Sequence, residues 1–218
     1  MQACSILVGV DQQYYDDWAL TLLKSINFNC PDIKLRCHVV NPKNLKKLSF
    51  VEYTTEEISF DNENSKISYL QAVRFLAVSK IPTTEFVLTI DADTICCKNF
   101  TQEEFVHLFN DQNILVRDKK PDRWLCGLIC FRNDNFRYEY ADLLNSNSVS
   151  EWKPGRDQKT LLKLKDKFNF VPVHRKWMSV GKNGRGSIFL TLKGEQKSTH
   201  KYLEKYNDYK KKFKPVNS

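Results

Sequence analysis

A chain of 218 residues, 41% hydrophobic, 12% aromatic and 28% charged, is long enough for one sizeable core, and only seven glycines and seven prolines exclude a low-complexity polymer. No apolar run approaches the roughly 18 to 20 residues of a membrane span, which excludes an integral membrane protein of the helical kind. The net charge of +8, much of it beyond residue 159, favours an anionic ligand or partner.

The first ten residues lack the basic n-region of a signal peptide and run directly into Asp11, which predicts a chain not exported by itself and a cytoplasmic location. Seven cysteines are an odd number, and Cys96 and Cys97 are adjacent, a poor start for a disulfide framework. Cys126 and Cys130, four apart in an apolar run, share one face of a strand. The four histidines supply no second short-spaced pair for zinc. Reduced thiols used as small apolar residues are therefore expected.

In chain order, β-branched apolar runs at 5–10, 35–40, 85–90 and 113–116 predict strands. Between them, 17–26 places Trp18, Leu22 and Ile26 at helical spacing, and 65–80 does so with Leu70, Val73, Leu76 and Ala77, stopping before Pro82. Thr101-Gln102-Glu103-Glu104 is a capping box opening a short helix to about 109. Beyond it, 124–131 reads as a strand, 136–144 and 157–165 as helices, and 170–173 and 187–192 as short strands. A lysine-rich helix over about 199–213 closes the chain. Strands alternating with helices predict one α/β domain over 1–218 with a mostly parallel central sheet.

The run 86–90 delivers Asp91-Ala92-Asp93 at its carboxyl end, where open α/β sheets gather ligands. Two carboxylates separated by one small residue can face one hard cation shared with substrate phosphates, and Mn2+ or Mg2+ at Asp91 and Asp93 would stabilise a diphosphate leaving group. A loop or cap pair is the plain alternative. A haloacid-dehalogenase-type phosphatase also carries D-x-D after a strand, with the first Asp as nucleophile. Here Ile95 stands where that motif usually has Thr or Val, and the pair lies far from the chain start.

With Tyr69-Leu70-Gln71-Ala72-Val73-Arg74-Phe75 ahead of Asp91-Ala92-Asp93, the sequence resembles the GT-A glycosyltransferases of family 8, the glycogenin and lipopolysaccharide galactosyltransferase type. The resemblance implies a Rossmann-like GT-A fold, a UDP-sugar donor, manganese, and an Arg at the place of Arg74 supporting the diphosphate or an acidic loop. An exposed helix cation is the alternative for Arg74. Leu7-Val8-Gly9-Val10-Asp11 with Tyr14-Tyr15 resembles the family's first strand, which implies that Val10, Asp11 and Tyr15 cradle the nucleoside. A Tyr packed on the core edge is the other reading of Tyr15. Gly127, in Trp124–Phe131, stands where the family lines its sugar pocket with an Asn-(Ser/Ala)-Gly strand, although Leu125 takes the place of the Asn. Asp157-Gln158 resembles the D-Q pair flanking the reacting sugar, Asp157 bonding sugar hydroxyls and Gln158 lying under the anomeric carbon. As bare chemistry it is a polar pair at a helix start.

Thr191-Leu192-Lys193-Gly194-Glu195-Gln196-Lys197 resembles the family's H-x-x-G-x-x-K, in which Gly194 would admit the phosphates and Lys197 would grip them. The family's His, a third metal ligand, is replaced by Thr191. Membership would imply transfer to an acceptor hydroxyl with retention; the acceptor would be a glycan, a lipid-linked sugar or a protein, and no nucleic acid is expected. A non-enzymatic reading makes the lysine-rich helix a surface for nucleic acid or anionic membrane, since it interleaves aromatics with charge. Glu204 and Asp208 within it suit a solvated terminal helix better. Peripheral contact with a membrane holding a lipid-linked acceptor would suit a glycosyltransferase.

Overall fold

The computed structural model describes residues 3–108, 114–120, 123–131, 134–180, 186–191 and 200–212. β1 (Cys4–Asp11) is followed by α1 (Gln12–Tyr14), a π-helical turn (Tyr15–Ala19) and α2 (Leu20–Asn29). Then come β2 (Lys34–Val40), β3 (Val51–Glu56), α3 (Glu63–Val78), β4 (Phe86–Ile90), β5 (Thr94–Cys96) and α4 (Gln102–Val106). The hairpin β6 (Ile114–Lys120) and β7 (Arg123–Phe131) leads to α5 (Asp134–Asn145) and α6 (Arg156–Lys163). Short strands β8 (Phe170–Pro172), β9 (Met178–Val180) and β10 (Phe189–Thr191) precede α7 (His200–Lys212).

Seven strands form one sheet in the order β3-β2-β1-β4-β7-β6-β8. Only β7 runs against its neighbours, β4 and β6; the remaining pairs are parallel. The α/β expectation holds. Both faces of β1 are covered, which is why its sequence is continuously apolar rather than alternating. Ile6, Val8 and Val10 join the cluster under α2, while Leu7 joins the cluster under α3. Gly9 faces α3 so closely that a Cβ there would lie 2.7 Å from the backbone nitrogen of Arg74.

The strand order reverses at β1: β2 and β3 add on one side and β4 on the other. Such a switch point opens a crevice beyond the carboxyl ends of the two strands. Those ends are Asp11 and, just past Ile90, Asp91. A second sheet, β5-β10-β9, stands beside it, and its register pairs Thr191 with Thr94.

Two local departures matter. The helix expected over 17–26 begins at Gln12, where the Asp11 carboxylate accepts the Tyr14 N–H at 2.8 Å, and it passes through the π-helical turn before becoming regular. β3 had no sequence signal, because this edge strand, Val51-Glu52-Tyr53-Thr54-Thr55-Glu56, buries only Val51 outright. α7 follows the expected basic helix and is anchored by Tyr206, whose hydroxyl donates to the Asp17 carbonyl at 2.6 Å and whose ring lies 4.6 Å from that of Trp18. Among the described residues no helix is long and apolar enough to cross a membrane. All seven cysteines are free thiols, and burial raises the pKa of Cys37, Cys96, Cys126 and Cys130.

Candidate active site

A cavity of about 480 Å³ opens at the switch point, lined by Val10, Asp11, Arg74, Asp91, Ala92, Asp93, Gly127, Asp157 and Gln158 among others. Nine of the residues expected from sequence therefore converge from five separate stretches of chain. Gly194 and Lys197 lie outside the described residues.

At one end the ring of Tyr14, not Tyr15, borders the cavity. Tyr15 is fully buried in the core, its hydroxyl 2.7 Å from both the Lys46 carbonyl and the Tyr53 hydroxyl. Tyr15 therefore follows the core-packing reading and does not reach the cavity; the tyrosine that does is Tyr14. The π-helical turn beginning at Tyr15 changes the angular step between side chains, so helical spacing could not say which tyrosine faces out. Tyr14 is 38% exposed, and its hydroxyl lies 3.5 Å from Asp93 Oδ2.

In the middle, Asp91 Oδ1 forms an ion pair with Arg74 Nη2 at 2.8 Å, and its Oδ2 accepts from Arg117 Nη1 at 3.2 Å. Its backbone N–H donates to the Gly127 carbonyl at 2.9 Å. Arg74 also donates from Nη2 to the Cys126 carbonyl at 3.0 Å and lies over the Phe75 ring. It is nearly enclosed, so the exposed-cation reading falls. Asp93 is 6% exposed; the Thr191 hydroxyl lies 3.5 Å from its Oδ1. Thr191 therefore does stand beside the acidic pair, as the sequence alignment by motif requires.

At the other end Asp157 is 5% exposed in the first turn of α6, whose start is set by Gly155 in a left-handed conformation (φ 81°). Gln71 Oε1 accepts the Gly155 N–H at 3.1 Å and ties that turn to α3. The Tyr140 hydroxyl donates to the Asp157 carbonyl at 3.0 Å. Asp157 Oδ1 has no hydrogen-bond partner among the described residues, and burial holds its carboxyl above the ordinary aspartate range. A buried acceptor without a partner, on a residue that lines a polar cavity, suits a ligand hydroxyl.

Gly127 lines the cavity and also has a second use. A Cβ there would sit 2.5 Å from Asp91 Oδ2 and 2.8 Å from Arg117 Cζ, so the missing side chain makes room for the Arg117–Asp91 bridge. Arg117 itself had no sequence signal, because only the pairing of β6 with β7 aims it here. The face of α3 formed by Glu63, Lys66, Ile67, Leu70, Gln71 and Arg74 also lines the cavity. That face was legible in principle, since these positions follow i, i+3, i+4, i+7, i+8 from Glu63 on to Arg74.

The donor set fits a hard divalent ion that arrives with its own ligands. A carboxylate has about four lone-pair sites, so two guanidinium bonds leave Asp91 with acceptor capacity. Among the described residues no group of three Asp, Glu, His or Cys side chains could hold a metal ion, so phosphate and water would complete the shell. Five carboxylates against three cations line the cavity, which favours a counter-cation for any anionic ligand. Of the histidines that could stand in for the third ligand, His174 accepts the Lys176 N–H at 3.1 Å and does not line the cavity, and the side chain of His200 lies outside the described residues.

No protein-family model matches the chain, and no curated protein matches it either. Solved structures do. A galactosyltransferase, LgtC, in complex with donor and acceptor sugar analogues is 11% identical with a TM-score of 0.65, covering 98% of both chains. The apo bifunctional glycosyltransferase WbbM (12%, TM-score 0.64) covers all of this chain over 50% of its own length. The glycosyltransferase GlyE of Streptococcus pneumoniae TIGR4 (11%, TM-score 0.65) covers 96% of this chain and 60% of that one. From the strand order to the crevice at its switch point, the chain has the GT-A fold of these glycosyltransferases.

Proposed function

We propose that the protein is a glycosyltransferase that moves a sugar, a hexose by the resemblance, from a UDP-sugar to an acceptor hydroxyl. The observation that carries this reading is that Tyr14, the Asp91–Asp93 pair and Asp157 line one cavity, which supports an aromatic face for a base, carboxylates for a metal-bound diphosphate and an acceptor for sugar hydroxyls. Tyr14 would offer a ring face to the base, with Val10 and Asp11 lining the same cavity. Asp93, and Asp91 through its remaining lone pairs, would hold Mn2+ or Mg2+ together with the diphosphate. The ion would supply Lewis-acid stabilisation of the departing UDP. Asp157 accepts from sugar hydroxyls, Gln158 borders the anomeric carbon, and Lys197 with Gly194 belongs by resemblance to the diphosphate grip.

In the reaction the C1–O bond to the diphosphate breaks as the acceptor oxygen bonds C1, and the acceptor proton passes to the departing phosphate oxygen. Attack on the same face retains the anomeric configuration, as family 8 resemblance implies. A phosphatase would need Asp91 as nucleophile. With a guanidinium on each oxygen, Asp91 is stabilised as an acceptor and weakened as an attacking group.

Differential scanning with Mn2+ and UDP, GDP, CDP or ADP tests the reading. UDP at a hundredfold excess over its Kd adds about 2.7 kcal/mol, roughly 5–10 °C in Tm for a chain of this size. The shift should vanish in Asp93→Asn. No shift with any nucleotide would sink the proposal.

A further inference from the structure

Asp91 is held by two guanidiniums, and β7 builds that arrangement. Val116 pairs with Ile129 and Asp118 with Leu125, so residues 126–128 oppose the single residue Arg117. Irregularities of this kind bend a strand and re-aim the side chain opposite them. Here the Cys126 carbonyl turns to Arg74, the Gly127 carbonyl takes the Asp91 N–H, and the empty side of Gly127 admits the Arg117 guanidinium. The side chains of Arg74 and Arg117 are 7% and 8% exposed, so solvent screens neither charge well. The described neighbours of Asp93 include two hydroxyls, Tyr14 and Thr191, each at 3.5 Å.

A free divalent ion approaching the Asp91–Asp93 pair meets two fixed guanidiniums on the first carboxylate. Like charges in a sheltered site oppose its binding. A diphosphate entering with the ion reverses that balance and supplies the missing oxygens. We propose that Arg117 is a positioning residue that makes the cation site conditional on the donor: by sharing Asp91 with Arg74 it keeps the acidic pair a poor site for free ion, so that ion and diphosphate bind as a unit. This rests on the nucleotide-sugar reading of the cavity. Thermodynamic linkage then requires the same factor in both directions, UDP tightening Mn2+ as much as Mn2+ tightens UDP.

The test is titration of the full chain with Mn2+, free ion being followed by electron paramagnetic resonance, with and without saturating UDP. In the wild type, UDP tightens Mn2+ by about tenfold or more, within the usual range of coupling between sites. Arg117→Leu tightens Mn2+ alone by about tenfold, because a nearby like charge has gone, and cuts the UDP effect to about threefold or less. Arg117→Lys keeps the charge and stays within about threefold of the wild type. Circular dichroism checks folding, and Arg117→Gln replaces the Leu variant if that one does not fold. Unchanged or weaker Mn2+ binding without UDP in a folded, uncharged Arg117 variant overturns the proposal. A wild type that binds neither UDP nor Mn2+ with UDP removes the nucleotide-sugar reading itself, a result separable from the first.

Discussion

Tyr14 and Tyr15 are adjacent in sequence, yet one borders a polar cavity and the other closes the core between β1 and the 46–53 segment. Their substitutions should separate cleanly. Tyr14→Ala is expected to weaken UDP binding by about 1–3 kcal/mol, the value of a base–aromatic stack, with Tm unchanged in the absence of ligand. Tyr15→Phe should leave UDP affinity alone and cost about 1 kcal/mol of stability, or roughly 2–4 °C, by unpairing the Lys46 carbonyl. Calorimetric titration and thermal melts of both variants check this; the reverse pattern would restore Tyr15 to the site. The sequence pointed to Tyr15 rather than Tyr14, because a π-helical turn leaves no mark in a hydrophobic pattern.

Among the elements, α3 carries the most responsibility for the site. Asn62 caps it by accepting the Ser65 N–H at 2.9 Å, its buried face packs on β1, and its other face runs from Glu63 at the rim to Arg74 at the floor. The approach of α3 to β1 depends on Gly9, whose position the backbone of Arg74 would otherwise block at 2.7 Å. Backbone cannot step aside as a side chain can, so Gly9→Ala should push α3 outward. The expected cost is about 2 kcal/mol of stability, in the range of overpacking, together with loss of the UDP-induced shift as Arg74 leaves Asp91. Thermal melts with and without UDP measure both, and a full UDP shift in the variant would contradict the role given to this contact.

Across the whole molecule, chemistry and anchoring occupy opposite ends of the sheet. At the amino end of β4, Glu85 receives Arg36 through two bonds of 2.8 Å, with Lys34 at 3.6 Å, while the site lies past the carboxyl end, roughly 17 Å of strand away. Burial alone would raise the Glu85 pKa; the hydrogen bonds and charge of Arg36 and Lys34 bring it below the ordinary value of 4.5. A lowered folded pKa stabilises above the unfolded value and loses that contribution as pH falls through the folded one. Glu85→Gln should therefore lower Tm at pH 7 by roughly 4–8 °C, for about 2 kcal/mol, and the gap to wild type should close as pH drops below 4.5. UDP binding should not change, since charges that far apart are screened. Melts from pH 7 to 3 follow the gap, and a gap independent of pH would refute the linkage.

The α/β class, the long helix ending before Pro82, the acidic pair at a strand end and Asp157 at a helix start were all determined by the sequence alone. Each depends on local periodicity, capping or strand-end placement, which a linear pattern records. Tertiary structure decided what those patterns cannot encode. The π-helical turn set Tyr14 toward the cavity, the irregular β6–β7 pairing brought Arg117 onto Asp91, and Gly127 made room for that bridge. β3 became a strand because β2 needed a neighbour, not because its residues announce one. The physical reason is common to all four. A side chain's direction at an irregularity is set by the partner strand or helix packed against it, and that partner is distant in sequence.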